Sequence, residues 1–171
     1  MCAARAPARL GAGAVTRELE LTLNGRRLRL SVEPHLTLLR FLRDVAGATE
    51  VKYGCGEGVC GACTVLLDGR AVNACSVLAL QAEGRRVATV ASLAENGRLH
   101  PLQRALAETG GVQCGFCTPG IVLGALEAIE LGEAGDRAAI RRSLAGNLCR
   151  CTGYGKIVDA VEAYRDAGGG V

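Results

Sequence analysis

The stretch GCGEGVCGACTV, residues 54 to 65, constrains this chain more than any other: three cysteines spaced C-x4-C-x2-C among four glycines. A run so poor in apolar side chains cannot pack a core of its own, so its thiols must serve something the backbone wraps around. Nine cysteines stand in 171 residues, and no export signal accounts for them. The N-terminal MCAARAPARLGAGAV holds Arg5 and Arg9 but no apolar h-region, and no apolar run reaches membrane-spanning length. The sequence is therefore expected to be cytoplasmic, where thiols stay reduced and structural disulfides are the weaker reading. Metal ligation or redox chemistry leads instead.

Nearly half of the residues are hydrophobic, 49%, but only 3% are aromatic and there is no Trp, so the core is expected to be aliphatic. The net charge is +3, and eighteen of the twenty basic residues are scattered arginines. With so few aromatics between them, nucleic-acid binding has little support. Residues 1–16 read as a frayed tail in which Cys2 is a bystander. Leu19, Leu21 and Leu23 alternate with polar residues, Asn24-Gly25 follows, and Leu28, Leu30 and Val32 alternate again, a hairpin signal. After Pro34, Leu38, Leu39, Phe41, Leu42 and Val45 recur at helical spacing and Gly47 closes the helix. Thr64–Leu67 and Arg70–Asn73 read as strands around Asp68-Gly69, with a further short strand near Val87–Val90. Beyond a linker near 91–99 the period becomes helical: 101–108 with Pro101 at its start, a helix capped by Thr118 and begun by Pro119, a third from Asp136 to Gly146, and a fourth on Tyr154, Ile157, Val158, Val161 and Tyr164. The expectation is an α+β chain: a mixed-sheet domain over 17–92 and an all-α four-helix domain over 93–171. Halves of this size have marginal cores, which a metal staple helps.

Apart from Cys2 the cysteines form two quartets, one in each half. Cys55, Cys60, Cys63 and Cys75 have the plant-type ferredoxin spacing for a 2Fe–2S cluster. Glycines let such a loop wrap closely and aim N–H groups at the cluster sulfurs. Zinc or a disulfide fits this 3+1 arrangement badly, since structural zinc usually takes paired knuckles. The second quartet, Cys114, Cys117, Cys149 and Cys151, joins a C-x2-C to a distant C-x-C. Spacing alone leaves it open between zinc and an iron–sulfur cluster. Each pair immediately precedes a helix, so two helix N-termini would converge on one site and favour a negatively charged thiolate cluster.

QCGFCTPG (113 to 120) and GNLCRCTGY (146 to 154), together with GCGEGVCGACTV, resemble the small iron–sulfur subunit of the molybdenum hydroxylases, the xanthine oxidase family, over about residues 17 to 165. The family includes carbon monoxide dehydrogenase small subunits and aldehyde oxidoreductases. The resemblance implies a ferredoxin-like (β-grasp) domain followed by a helical domain, each carrying one 2Fe–2S cluster, and so makes the second quartet iron–sulfur. It implies that the helical cluster lies nearest a molybdenum–pterin cofactor on a large partner subunit, with Gln113 and Cys151 contacting the pterin. The ferredoxin-like cluster then faces FAD on another subunit, in a heterotrimer or a dimer of heterotrimers. Electrons released by substrate chemistry at molybdenum would leave singly through the two clusters, usually to FAD, and no catalytic residue is expected on this chain.

Other residues carry plainer expectations. His35 and His100 adjoin prolines outside the cysteine motifs and suit surface or capping duty. Glu57 braces backbone or faces solvent, Arg150 offsets cluster charge or is solvated, and Lys52 and Tyr53 pack at the loop entrance or at a subunit contact. An independent two-cluster carrier and a zinc-bound interaction module are the competing functions.

Overall fold

The structure, a computed structural model, describes residues 15–169. Most of the 1–16 tail, with Cys2, lies outside the described residues.

Strands β1 (Arg17–Leu23) and β2 (Arg26–Val32) pair antiparallel, with Leu23 opposite Arg26. Asn24 and Gly25 make the two-residue turn with φ of 49° and 78°, the paired left-handed conformation that a tight hairpin needs. Leu19, Leu21 and Leu23 point into the core as their alternation requires. β2 is an edge strand, and Leu28 and Leu30 on it are only half-buried. β3 (Thr64–Leu67), β4 (Arg70–Asn73) and β5 (Arg86–Ala88) complete a sheet ordered β2-β1-β5-β3-β4. The β1–β5 pair is parallel and the others are antiparallel. A parallel pair needs a crossover, and the helical segment that follows β2 lies along it.

That segment departs from the expected single α-helix. Thr37 caps α1 (Leu38–Arg40) by accepting the Arg40 N–H, and the chain then widens into a π-type turn over Phe41–Val45. The wider turn aims Phe41 and Leu42, as well as Leu38 and Leu39, at the sheet; all four are buried. The strand read near Val87–Val90 ends at Ala88, because fully buried Thr89 caps a short 3-10 turn over Val90–Leu93. Its hydroxyl accepts the Ala91 N–H and donates to Glu50 at 2.6 Å.

The second half is helical: α2 (Pro101–Glu108), α3 (Thr118–Glu130), α4 (Arg137–Ser143) and α5 (Gly155–Asp166). His100 caps α2, its Nδ1 accepting from the Leu102 N–H while Gln103 accepts the His100 N–H. Thr118 sits inside α3 rather than capping it, and Cys117 occupies the cap position. Asp136 caps α4 as expected, but that helix stops at Ser143, short of Gly146, and Leu144 begins a turn. That early stop frees Gly146 and Asn147 to reach the first half.

Two separate cores result. Leu19, Leu38, Phe41, Leu42 and Val65 anchor the first. Leu102, Ile121, Ile140, Ile157 and Val161 anchor the second, and Val90 and Leu93 also pack on it, so the segment read as a linker begins within the helical half's packing. The halves meet where the first cysteine loop abuts α3 and the chain after α4. Asn147, buried between them, donates from Nδ2 to the Gly61 carbonyl at 3.0 Å and to Thr64 Oγ1 at 3.2 Å. Leu148 N–H donates to the Cys60 carbonyl at 2.9 Å. On the sheet side, Glu127 of α3 accepts the Ala71 N–H at 2.9 Å and pairs with Arg70 at 3.1 Å. Only glycine fits the contact itself. A Cβ on Gly61 would lie 2.4 Å from the Gly146 carbonyl oxygen, and one on Gly120 would lie 2.2 Å from the Gly61 oxygen.

Phe41→Ala empties a fully buried site and is expected to destabilise the first half by about 3–5 kcal/mol in chemical denaturation. Gly61→Ala, with φ of +66° at that position, is expected to cost at least about 1–2 kcal/mol for the left-handed backbone alone. The added clash should deepen the fall in Tm, and an unchanged Tm would show that the two halves do not press together at this loop.

Candidate metal centres

The first quartet is organised by backbone N–H groups. Those of Glu57, Val59 and Cys60 point at Cys55 Sγ at 3.3, 3.4 and 3.4 Å. Cys55 N–H points at Cys60 Sγ at 3.3 Å, and Gly58 N–H at Cys75 Sγ at 3.1 Å. A loop whose amides converge on sulfur stabilises thiolate charge without any cationic side chain. Cys55 feels this most: the N–H of Glu57, then those of Cys60 and Val59, bring its pKa down to about 6. Cys63 is the opposite case, pushed up to about 12 by burial. A thiol held that high ionises only against bound positive charge, which is what ligation to iron supplies. The sheet sets the last two ligands side by side. Cys63 directly precedes β3, Cys75 lies in a 3-10 turn just after β4, and the register Thr64–Asn73 brings them together. Asn73 Nδ2 donates to the Gly58 carbonyl at 2.8 Å and ties the loop to that strand.

The second quartet sits at helix entrances. Cys117 caps α3, and Cys114 lies just before it. Cys149 and Cys151 occupy the turn before α5. That helix starts only at Gly155, after Tyr154 in a left-handed conformation (φ 67°). The expected second helix end is thus replaced by a turn in which the Tyr154 hydroxyl accepts the Cys149 N–H at 2.7 Å. Burial pushes Cys117 up to about 12. Burial also raises Cys149, but the Thr152 hydroxyl, 3.1 Å from its sulfur, and the N–H groups of Cys151 and Thr152 outweigh it, leaving that thiol below its ordinary value. The Phe116 N–H lowers Cys114, while the bond to Cys114 raises Cys151; their sulfurs are 3.6 Å apart.

Both quartets divide into two close thiol pairs: Cys55 with Cys60, Cys63 with Cys75, Cys114 with Cys151, and Cys117 with Cys149. Two pairs of thiols suit a binuclear iron centre, with two ligands on each metal, better than one tetrahedral zinc. The donor chemistry and the amides aimed at sulfur therefore fit 2Fe–2S clusters.

The quartets differ in exposure. Cys63 and Cys75 are buried, whereas Cys114 and Cys151 are exposed, and so are Gln113, Phe116 and Leu148 beside them. His35 is exposed on Glu33, 3.3 Å away, and His100 caps a helix, so both histidines stand apart from the thiols. The side chains of Glu57 and Arg150 face solvent. Lys52 donates to the Thr49 carbonyl, and the Arg40 guanidinium lies 5.2 Å from the Tyr53 ring centre. Asn147 lies within the GNLCRCTGY motif but was given no role of its own, and Glu127 gave no signal in the sequence: each looks like an ordinary turn or helix-surface residue until its partner, far away in the chain, is known.

The comparisons agree with this geometry. The family pattern described as a 2Fe-2S iron-sulfur cluster binding domain matches residues 21–94, and that of a 2Fe-2S binding domain matches residues 89–162. The chain is 45% identical over 144 residues to the nicotine 6-hydroxylase small subunit of Paenarthrobacter nicotinovorans, covering 84% of this chain and 87% of that protein. It is 46% identical over 145 residues to the xanthine dehydrogenase iron-sulfur-binding subunit of Escherichia coli O157:H7, covering 84% and 91%. Among solved structures, quinoline 2-oxidoreductase from Pseudomonas putida 86 superposes with a TM-score of 0.83 at 39% identity, over 90% of this chain and 98% of the matched one. Aldehyde oxidoreductase from Desulfovibrio desulfuricans ATCC 27774 gives 0.83 at 41% identity, but there the match spans 17% of a much longer chain. With a 2Fe–2S domain in each half, matched along most of its length to such subunits, the chain belongs to the iron–sulfur subunits of the molybdenum hydroxylases, the xanthine dehydrogenase family.

Proposed function

We propose that Cys55, Cys60, Cys63 and Cys75 ligate one 2Fe–2S cluster, that Cys114, Cys117, Cys149 and Cys151 ligate the other, and that these two sites make the chain the electron-transfer subunit of a molybdenum-containing hydroxylase or dehydrogenase. When bound, each cluster takes up and releases one electron at a time, so the pair relays electrons singly between a molybdenum–pterin centre and FAD on partner subunits.

The observation that carries this reading is the asymmetry between two pair-wise thiol sites. The first is sunk against the sheet, with Cys63 and Cys75 buried; the second opens to the surface at Cys114 and Cys151. An exposed ligand pair with Phe116 and Leu148, 45% and 51% exposed, close to it in the chain is a face made to be covered. We assign that face to the large molybdenum-bearing subunit, with Gln113 and Cys151 contacting the pterin. The first site, on the far side of the Asn147 contact, is assigned to a medium FAD subunit. This completes a heterotrimer or a dimer of heterotrimers in the cytoplasm, built on domains at 17–92 and 93–171. No helix among the described residues is long and apolar enough to cross a membrane.

The chain's own part is positioning and tuning. Amides from the 54–60 segment donate to the ligand sulfurs, which stabilises negative charge there and sets how readily the first site accepts an electron. Cys117 at the α3 N-terminus places the second site where the helix dipole also favours negative charge. Neither site contains a general base or a nucleophile poised for substrate, so substrate specificity belongs to the partner.

Purification from the native host, followed by native mass spectrometry and metal analysis, tests the assignment. A complex with larger subunits that contains molybdenum and iron is the expected result. A lone chain with two clusters would make it an independent carrier, and a lone chain with zinc would overturn both readings. Within the complex, Cys75→Ser is expected to remove the first iron–sulfur EPR signal and leave the second. Cys151→Ser should do the reverse, each losing about half of the iron expected for two binuclear clusters. Simultaneous loss of both signals from either variant would contradict two separately held clusters.

A further inference from the structure

We infer that Asn147 is a positioning residue for electron transfer, its side-chain amide setting the separation of the two cluster sites. The inference rests on the cluster assignment above. Three chain segments that carry the ligands meet at this one amide. Gly61 lies between Cys60 and Cys63 in the first loop, Gly120 lies just after Cys117 in the first turn of α3, and Asn147 itself stands two residues before Cys149.

The amide has only one workable orientation. The Gly61 carbonyl can only accept, so the NH2 group must face it, and that group also reaches Thr64 Oγ1, whose own proton is spent on the same carbonyl at 2.7 Å. Asn147 and Thr64 are each 7% exposed, so these bonds are largely shielded from bulk water. The surroundings are cut to the amide's shape. Cβ atoms on Gly61 and Gly120 would come within 2.5 and 3.0 Å of Nδ2, and one on Gly124 would come within 3.0 Å of Oδ1. One residue further along, Leu148 N–H holds the Cys60 carbonyl at 2.9 Å, which links a ligand of one site to the neighbour of a ligand of the other. A polar clamp at this depth specifies one register between two halves that have separate cores. Apolar packing alone, which has no direction, would tolerate sliding. Electron tunnelling falls steeply with distance, so a small slip here changes the rate between sites while leaving each site's ligands intact.

Asn147→Asp keeps the shape and removes both donors, setting a carboxylate oxygen against the Gly61 carbonyl. The experiment is low-temperature EPR of the purified holo-complex, both clusters reduced, with iron content and Tm measured alongside. Wild type is expected to show two iron–sulfur signals split by their mutual magnetic interaction. Asn147→Asp is expected to keep both sets of g-values and the full iron content but to show a changed splitting and slower equilibration between the clusters. Unchanged splitting in a variant that holds both clusters, even with a lowered Tm, would reduce Asn147 to a stability residue and overturn the inference. So would wild type with two clusters and no splitting. If Asn147→Asp assembles fewer than two clusters, Thr64→Val, which removes one acceptor of the same amide and nearly keeps its volume, is measured in its place. A changed splitting there supports the inference and an unchanged one overturns it. Wild type lacking two iron–sulfur signals would instead defeat the cluster assignment, which keeps the two failures distinct.

Discussion

Donation from backbone amides to sulfur is the interaction on which the rest of this structure depends. Four thiolates held together repel one another, and Cys63 and Cys117 are buried deeply enough to resist ionisation. Those two thiols are left to bound metal charge, while for Cys55 and Cys75 the chain supplies dipoles rather than cations. The N–H groups of Glu57, Val59 and Cys60 serve one sulfur, and Gly58 serves another. Aiming that many amides inward requires a loop nearly free of side chains, hence the glycines. It also requires rigid elements at both ends, hence the placement of Cys63 and Cys75 at adjacent ends of β3 and β4. The sheet is the fixture that holds a loop too irregular to hold itself.

The same logic explains a chain of two small halves. Each core is aliphatic and modest, of a size at which burial barely exceeds conformational entropy. A metal cluster bound to four side chains from distant segments closes loops that apolar packing would close weakly. Separate cores leave the relation between the halves to be set by specific polar contacts. Asn147 and Glu127 supply these, with glycines giving the backbone clearance. In an electron-transfer subunit that relation matters, because it sets the distance between the redox sites.

Under the proposed assignment the exposed second site reflects division of labour: Cys114 and Cys151 are open where the electron path would continue into another subunit. The related aldehyde oxidoreductase carries the matching region as a small part of one long chain, so the same halves serve either as a fused domain or as a separate subunit.

Much of this was legible in the sequence, for physical reasons that operate locally. Thiol spacing pointed to a plant-type cluster at the first quartet but left the second open between zinc and iron–sulfur, where only the resemblance of its motifs chose, and the alternation of Leu19, Leu21 and Leu23 around Asn24-Gly25 named the hairpin and its buried face. What only the tertiary structure decided lies in interactions between residues far apart in the chain. The π-type turn at Phe41–Val45 places Phe41 and Leu42 in the same core as Leu38 and Leu39, an arrangement that helical periodicity does not encode. α4 ends at Ser143, and the residues that follow it, Asn147 and Leu148, bond to the first half. Asn147 acquires its role from Gly61, 86 positions away. A hydrogen-bond donor has no preferred partner until folding removes water from around it, which is why the motifs containing Gly61, Gly120 and Asn147 could be seen in the sequence but their contact could not.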